Sequence, residues 1–475
     1  TEEAQQRVKR VTDAWAAFSS ASAKGAGTPD VNALFDSVVE SYNKLATTDA
    51  GLDNRVRQSI CVEAARRAAH CLQTATKETH RDSLQTWHQV APLLECLHKT
   101  LCRSQGKECT AGFITAVLAT GVCEQTLDAL CALFSGSVPL CQETDQDHKG
   151  ALDSALMSLD VVGDVVSSNE SLDKLHHGNE LHTLFCLITK HSSCETMRAL
   201  RKKALEIANS VAMPAQEYTE TLAYFHARGT LRTMLDQWRT ATDFSYQDTL
   251  DVMTFFEAWL LHSQHSGKQM LFNDFLYFGG YTTIQTVLEH LENSTDDNAS
   301  KRDETICIVL ELVAQLVDAG VTPLPLPSLP DTVLSNRHIV DSYNASNHEN
   351  NVQPLRNREA FKVLQFYFVN TRSETCRLRI VQLMKQIFSK CAVNYVLLED
   401  MQTFAIFFAN FSSLSHSTRQ AICDLFMLIV HDLGCIPVEE LTSFSDLLAR
   451  RPPLSLECIN DCLTLVEALV AEKPL

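Results

Sequence analysis

The chain is 475 residues long, carries a formal net charge of −18, and is 45% hydrophobic and 21% charged, with only 16 glycines and 13 prolines. Such a length exceeds what one compact core usually serves, so several domains or a repeat array are expected, and the sparse turn formers exclude a turn-rich all-β architecture. The acidic balance argues against nucleic acid as a main partner, because phosphate neutralisation needs excess lysine and arginine, and it disfavours broad adhesion to anionic membrane.

Near the start, KGAGTP gives Gly25 and Gly27 without a third glycine, a preceding strand or a Lys-Ser/Thr pair, so it does not make a phosphate loop. Three amphipathic helices are expected next, over VNALFDSVVESYNKLA, LDNRVRQSICVEAARRAAHCLQ and DSLQTWHQVAPLLECLHKTLC. Inside the second, RRAAHC (Arg66–Cys71) has the look of the basic core of a FYVE zinc finger. The second histidine and the flanking C-x-x-C pairs are missing, so the arginines are read as a solvated face opposite Ile60, Ala64 and Cys71. The polar, turn-rich stretch 136–150 is expected to be an exposed loop.

The densest histidine and cysteine cluster follows in HHGNELHTLFCLITKHSSC, with His176, His177, His182, Cys186, His191 and Cys194. His182 and Cys186 are spaced to share one helix face, as zinc ligands sometimes do. Cys186 also sits among Leu184, Phe185 and Leu187, where a core thiol is expected, and no C-x-x-C occurs to complete a four-ligand site. The chain's 17 cysteines lie mostly in apolar helical stretches, such as Cys131 in LDALCALF and Cys307 in TICIVLELV. Buried free cysteine behaves as a small hydrophobe. An odd count without a signal peptide fits a reducing, cytoplasmic compartment, and the sequons at Asn169 and Asn298 are discounted on the same ground.

A pattern recurs along the chain. Leu127, Leu130, Cys131 and Phe134 are spaced as one apolar helix face, with Gly121 upstream. The same spacing returns in Leu181, Leu184, Phe185 and Ile188 after Gly178, in Leu231, Met234, Leu235 and Trp238 after Gly229, and in Ile284, Val287, Leu288 and Leu291 after Gly279 and Gly280. The four starts are 54, 50 and 53 residues apart. Phe404, Phe407, Phe408 and Phe411, and then Cys462, Leu465, Val466 and Leu469, repeat it near the end. Each glycine is expected at a helix-to-helix corner. A regular interval of this kind predicts an all-α, armadillo/HEAT-like solenoid.

The proline- and asparagine-rich stretch 321–358 interrupts the helices, since proline removes backbone donors and forbids helix. It divides the expected organisation into a helical repeat block at 1–320, a linker or loop at 321–358, and a second block at 359–475. Its TPLPLPSLP segment could offer a polyproline II ligand, but a stiff linker is the simpler reading. The basic helix CRLRIVQLMKQIFSK sets Arg377, Arg379, Lys385 and Lys390 beside Ile380, Leu383 and Ile387, which reads as a charged solvent face over a core stripe. No G-x-S-x-G, H-E-x-x-H or P-loop pattern appears. No residue is therefore assigned a catalytic, cofactor-binding or metal-binding role. No run reaches the roughly 18 apolar residues of a membrane-spanning helix.

Four segments, NDFLYFGGYTTIQTVLEHLE, RNREAFKVLQFYF, NYVLLEDMQTFAIFFANFSSL and LGCIPVEELTSFSDLL, occur in an order that resembles one family. It is similar to the N-terminal armadillo-like region of the autophagy-linked FYVE (Alfy, Blue cheese) group of BEACH–WD40 proteins. The resemblance is good over about the last 200 residues, while the earlier part matches mainly in helical character. It implies a fragment of a large cytoplasmic scaffold for membrane trafficking or selective autophagy, peripheral on endomembranes through domains outside this chain. The opening Thr1, in place of methionine, agrees with a fragment or processed chain. The expected function is non-catalytic, with protein partners held on the solenoid surface or groove and neither nucleic acid nor membrane insertion involved. A standalone armadillo-type adaptor of trafficking or polarity is the alternative.

Overall fold

The computed structural model describes residues 2–24, 28–45, 51–76, 80–104, 112–135, 146–166, 183–184, 187–188, 195–212, 220–240, 245–262, 268–294, 299–320, 324–325, 336–346, 354–449 and 454–471. Every regular element among them is helical. The chain gathers into two compact units, Thr1–Asp248 and Thr249–Leu475.

In the first unit the helices are α1 (Glu2–Ala23), α2 (Thr28–Asn43), α3 (Asn54–Ala75), α4 (His80–Ser104), α5 (Phe113–Leu118), α6 (Val122–Ser135), α7 (Gln146–Val166), α8 (Glu195–Ala212) and α9 (Glu220–Thr240), with α10 (Tyr246–Glu257) crossing its boundary. They form two rows, α1–α3–α6 and α2–α4–α7–α8, with α3 packed along α4 and α6 along α7. The second unit holds α11 (Lys268–Tyr277), α12 (Gly280–Asn293), α13 (Ala299–Val317), α14 (Arg337–Ser346), α15 (Arg358–Asn370), α16 (Glu374–Lys390), α17 (Val393–Leu398), α18 (Thr403–Asn410), α19 (His416–Met427), α20 (Val438–Leu448) and α21 (Leu456–Val470). Here the rows are α12–α15–α18–α20 and α13–α16–α19–α21. Successive helix pairs bury their apolar faces against sequence neighbours, which is the armadillo/HEAT-like solenoid arrangement.

The second row shows how the repeat is encoded. α16, α19 and α21 each start behind a serine cap: Ser373, Ser415 and Ser455 accept from the amides of Cys376, Thr418 and Cys458, each at 3.3 Å. These caps satisfy amides that the first helical turn leaves without partners. From α16 to α19 to α21 the starts advance by 42 and 40 residues, inside the roughly 40–47 of such repeats and shorter than the interval near 50 expected from the sequence. Phenylalanines link neighbours along the first row, with Phe368 4.7 Å from Phe407 and Phe408 5.3 Å from Phe444, and Phe404, 5.2 Å from Phe426, joins it to the second.

The glycine corners divide. Gly279 sits at φ 77° between α11 and α12, and Gly121 at φ 75° between α5 and α6. Gly280 serves differently, because a Cβ there would fall 2.5 Å from the Phe275 ring. Gly229 does not form a corner: it lies inside α9 and is exposed. Good helix formers on both sides carry the helix through it, at a local cost of about 1 kcal/mol. Gly178 lies outside the described residues. The stretch expected as a loop at 136–150 also changes, since α7 begins at Gln146.

Within 321–358, the described residues belong to the second unit. Past the last proline of the Pro-rich run the chain forms α14. Asn336 clamps the backbone of Ile436, accepting its N–H at 2.7 Å and donating to its carbonyl at 3.2 Å. Buried Asn394 accepts from the Leu355 amide and donates to the Ile387 carbonyl, both at 2.8 Å.

Candidate interaction surface

A relay of polar bonds fixes each helix pair of the second unit against the next. Asp303 of α13 accepts from the Ser373 hydroxyl at 2.5 Å, at the cap of α16. Glu374 of α16 accepts from the Ser415 amide at 3.0 Å and the Thr418 hydroxyl at 3.2 Å, at the start of α19. Arg419 of α19, with its side chain only 3% exposed, donates to Asp461 at 2.6 Å and pairs with Glu457 at 3.0 Å on α21. In the other row Glu292, at the end of α12, accepts from the Tyr367 hydroxyl, the Arg372 amide and the Thr371 hydroxyl at 2.5, 2.9 and 3.0 Å. Burial alone would raise the Glu292 carboxyl, but these three donors outweigh it and hold it below the usual range. Glu374 is held low in the same way, burial being outweighed by the Ser415 amide and Arg377.

Between α13 and α16 lies a shallow groove of about 180 Å³, below the roughly 300–1,000 Å³ of small-molecule sites. The basic helix α16 finds acidic partners inside the chain. Arg379 donates to Glu311 at 2.6 Å, Arg377 to Glu374 at 2.7 Å, and Lys390 pairs with Asp318. The groove's cations are thus already occupied and it presents a neutralised polar surface.

The last helix differs from its row neighbours. α21 buries Cys458, Cys462 and Leu465 against α19 and leaves a second apolar line exposed. Leu456, Ile459, Leu463, Val466 and Val470 alternate at spacings of three and four, with exposures of 75% at Leu456, 54% at Leu463 and 75% at Val470. The face expected from Cys462, Leu465, Val466 and Leu469 is therefore only half covered. Alternating three- and four-residue steps are the seam that a second helix packs against. Val438, Leu441 and Leu448 of α20 are exposed as well. Large aliphatics are thus exposed on both α20 and α21.

Residues singled out by the sequence fall in several places. His176, His177, His182, Cys186, His191 and Cys194 lie outside the described residues. In RRAAHC, Arg66 is exposed and pairs with Glu63 at 2.9 Å, in keeping with a solvated face. Arg67 is not on that face. Its guanidinium lies 4.4 Å from the Phe35 ring centroid and 5.7 Å from that of Phe18, and it donates to Asn32 at 2.8 Å. The packing of α1 and α2 draws this arginine in, a cation–π contact that helix periodicity cannot show. Cys131 and Cys307 are half-buried, while Cys61, Cys96, Cys123, Cys376, Cys435, Cys458 and Cys462 are buried thiols outside any disulfide.

A cluster that sequence reading passed over joins His98 and Cys102 of α4 to Asp164 of α7. The first two share the spacing of His182 and Cys186, so that half was visible. Asp164 arrives from another repeat and was not. Burial, and then the adjacent Asp164 charge, push the Cys102 thiol up to about 11, the reverse of an activated nucleophile.

No family model matches the chain. Among solved structures, a crystal structure of an engineered protein aligns over 92% of this chain and 99% of its own, at 12% identity and a TM-score of 0.27. A circular tandem repeat protein with novel repeat topology and enhanced subunit contact surfaces aligns over 98% of this chain and 97% of its own, at 11% identity and a TM-score of 0.29. Similarity at this level does not define the architecture, which rests on the helix contacts themselves. No helix among the described residues is long and apolar enough to cross a membrane.

Proposed function

We propose that this chain is a non-catalytic scaffold solenoid that presents its helical surface to protein partners, as the N-terminal region of a BEACH–WD40 protein of the autophagy-linked FYVE group, acting in membrane trafficking or selective autophagy. The observation that carries the scaffold reading is the stacking of the second unit's helices in two rows, α12–α15–α18–α20 and α13–α16–α19–α21, an array that presents an extended helical surface. A partner helix or peptide laid along that surface would bury its apolar anchors there, the usual helix-in-groove mode of recognition. The family reading is supported by the four sequence segments, which supply the α11–α12 corner, α15, α17 with α18, and α20.

Reading the transcript beyond the codon for Leu475 tests the family assignment. Continuation into BEACH and WD40 coding sequence is expected, and a nearby stop codon would leave the standalone adaptor as the better reading. The scaffold assignment is tested by proximity labelling from the intact protein. A discrete, reproducible set of labelled proteins is expected; labelling no different from that of the untethered labelling enzyme would rule the scaffold reading out.

A further inference from the structure

Two helices of the first unit's second row finish side by side, and three side chains of different chemistry meet where they do. His98 and Cys102 stand one turn apart on α4, and Asp164 comes from the last turn of α7. His98 Nδ1 lies 2.8 Å from Asp164 Oδ2. Cys102 Sγ lies 3.5 Å from His98 Nδ1 and 3.5 Å from Asp164 Oδ2. We propose that His98, Cys102 and Asp164 form a zinc site that pins α4 to α7, with water completing the tetrahedron.

The distances can be checked against the ion. With zinc bonds of about 2.3 Å to sulfur and about 2.0–2.1 Å to nitrogen or oxygen, tetrahedral angles separate a sulfur from a lighter donor by about 3.5 Å. Both sulfur edges already have that length. The same geometry separates nitrogen from oxygen by about 3.4 Å, so the His98–Asp164 edge must open by about 0.6 Å. Cys102 Sγ is also 3.6 Å from His98 Nε2, so ring rotation decides which nitrogen ligates. Thiolate, imidazole and carboxylate together select zinc over magnesium or calcium, which prefer all-oxygen shells.

The surroundings favour a cation. Cys102 and Asp164 stand in the last described turns of α4 and α7. Asp164 is 13% exposed and anchors the cluster, while His98, at 38%, and Cys102 face solvent and leave a way in. One turn before Asp164, Asp160 holds Lys203 at 2.6 Å, and Lys203 also reaches Glu206 at 3.8 Å. That ammonium therefore has its own carboxylates. A Cys102 thiolate and the Asp164 carboxylate balance the two charges of zinc, with the thiol proton leaving to solvent as the sulfur–zinc bond forms. A Cys–His–Asp nucleophile is the competing chemistry. Asp164 lies as close to the sulfur as the imidazole does, which disfavours a bare thiolate and leaves the cation as the better partner.

The test uses the full chain, reduced and stripped of metal by a chelator, then titrated with Co²⁺ and Zn²⁺. Cobalt should give the visible bands of a tetrahedral site with a thiolate charge-transfer band, both erased by zinc. Cys102→Ser should lose the charge-transfer band and His98→Ala should weaken cobalt binding at least about tenfold. Cys186→Ser, which removes the other His-x-x-x-Cys thiol, should leave the spectrum unchanged. Zinc at one hundred times its dissociation constant should slow alkylation of Cys102, read by peptide mass spectrometry, about a hundredfold. This last measurement needs only the wild type and stands if a variant fails to fold. A cobalt spectrum surviving in Cys102→Ser, or Cys102 alkylation that zinc does not slow, would overturn the site; fast alkylation of metal-free Cys102 at neutral pH would favour the nucleophile instead.

Discussion

α13 and α21 occupy the same row of the second unit, yet one is enclosed and the other half bare. α13 buries Ile306, Val309, Leu310, Leu312, Val313, Leu316 and Val317 between α15 and α16. α21 buries three residues against α19 and exposes five large aliphatics. Both sequences are apolar enough for a core, so the difference lies in the neighbours and not in the helix. In a repeat array each helix owes its burial to the pair on either side. Among the described residues α21 packs against α19, and the face turned away from it keeps an apolar pattern of its own.

The sharpest way to break this comparison is to truncate one aliphatic on each helix. Leu310→Ala, at a fully buried position, should destabilise the second unit by about 2–5 kcal/mol, from lost transfer energy and the cavity left behind. Leu463→Ala should stay within about 0.5 kcal/mol, as surface changes do. Denaturant midpoints on the same preparation give both values. Equal losses would mean that the α21 line is covered in solution.

The junction at Glu292 gives a smaller effect with a pH signature. Its carboxyl is held below its ordinary value of 4.5 in the folded chain. The stabilisation is therefore fully present above that ordinary value and is lost as pH falls through the lower folded one. Glu292→Gln should remove about 1 kcal/mol at neutral pH, after discounting for partial exposure, and should flatten the stability loss below about pH 4.5. Urea unfolding at several acidic pH values decides it. An unchanged slope in the variant would mean that the Tyr367, Thr371 and Arg372 donors do not hold the charge.

Much of the fold was legible because amphipathic helices declare their buried face. Ile284, Val287, Leu288 and Leu291, and Leu231, Met234, Leu235 and Trp238, were all read as core and all are buried. What a helix packs against is a non-local fact, and there the reading stopped. Val466 was placed with the core and is exposed, because the pattern cannot say whether a neighbour exists. The repeat interval was drawn from apolar starts, while Ser373, Ser415 and Ser455, at a steadier spacing, carried it as caps. At the His98 site, one turn of α4 was readable and the aspartate from α7 was not, since only the packed rows bring it there.

Three glycines provide the finest test, because the same substitution should act in opposite directions. Gly279→Ala places a side chain at φ 77° and should cost about 1 kcal/mol, the left-handed region being poor for any Cβ. Gly280→Ala should cost at least as much for another reason, since its Cβ would meet the Phe275 ring at 2.5 Å and that ring is buried against Phe256 and Tyr281. Gly229→Ala, mid-helix and exposed, should instead stabilise the first unit by up to about 1 kcal/mol, because alanine is the better helix former. Calorimetry or denaturant titration of the three variants reads the signs directly. A destabilising Gly229→Ala would return that glycine to a corner and restore the uniform glycine rule. A neutral Gly280→Ala would show that the Phe275 ring can yield, and would leave positive φ at Gly279 as the sole reason for a glycine pair at this turn.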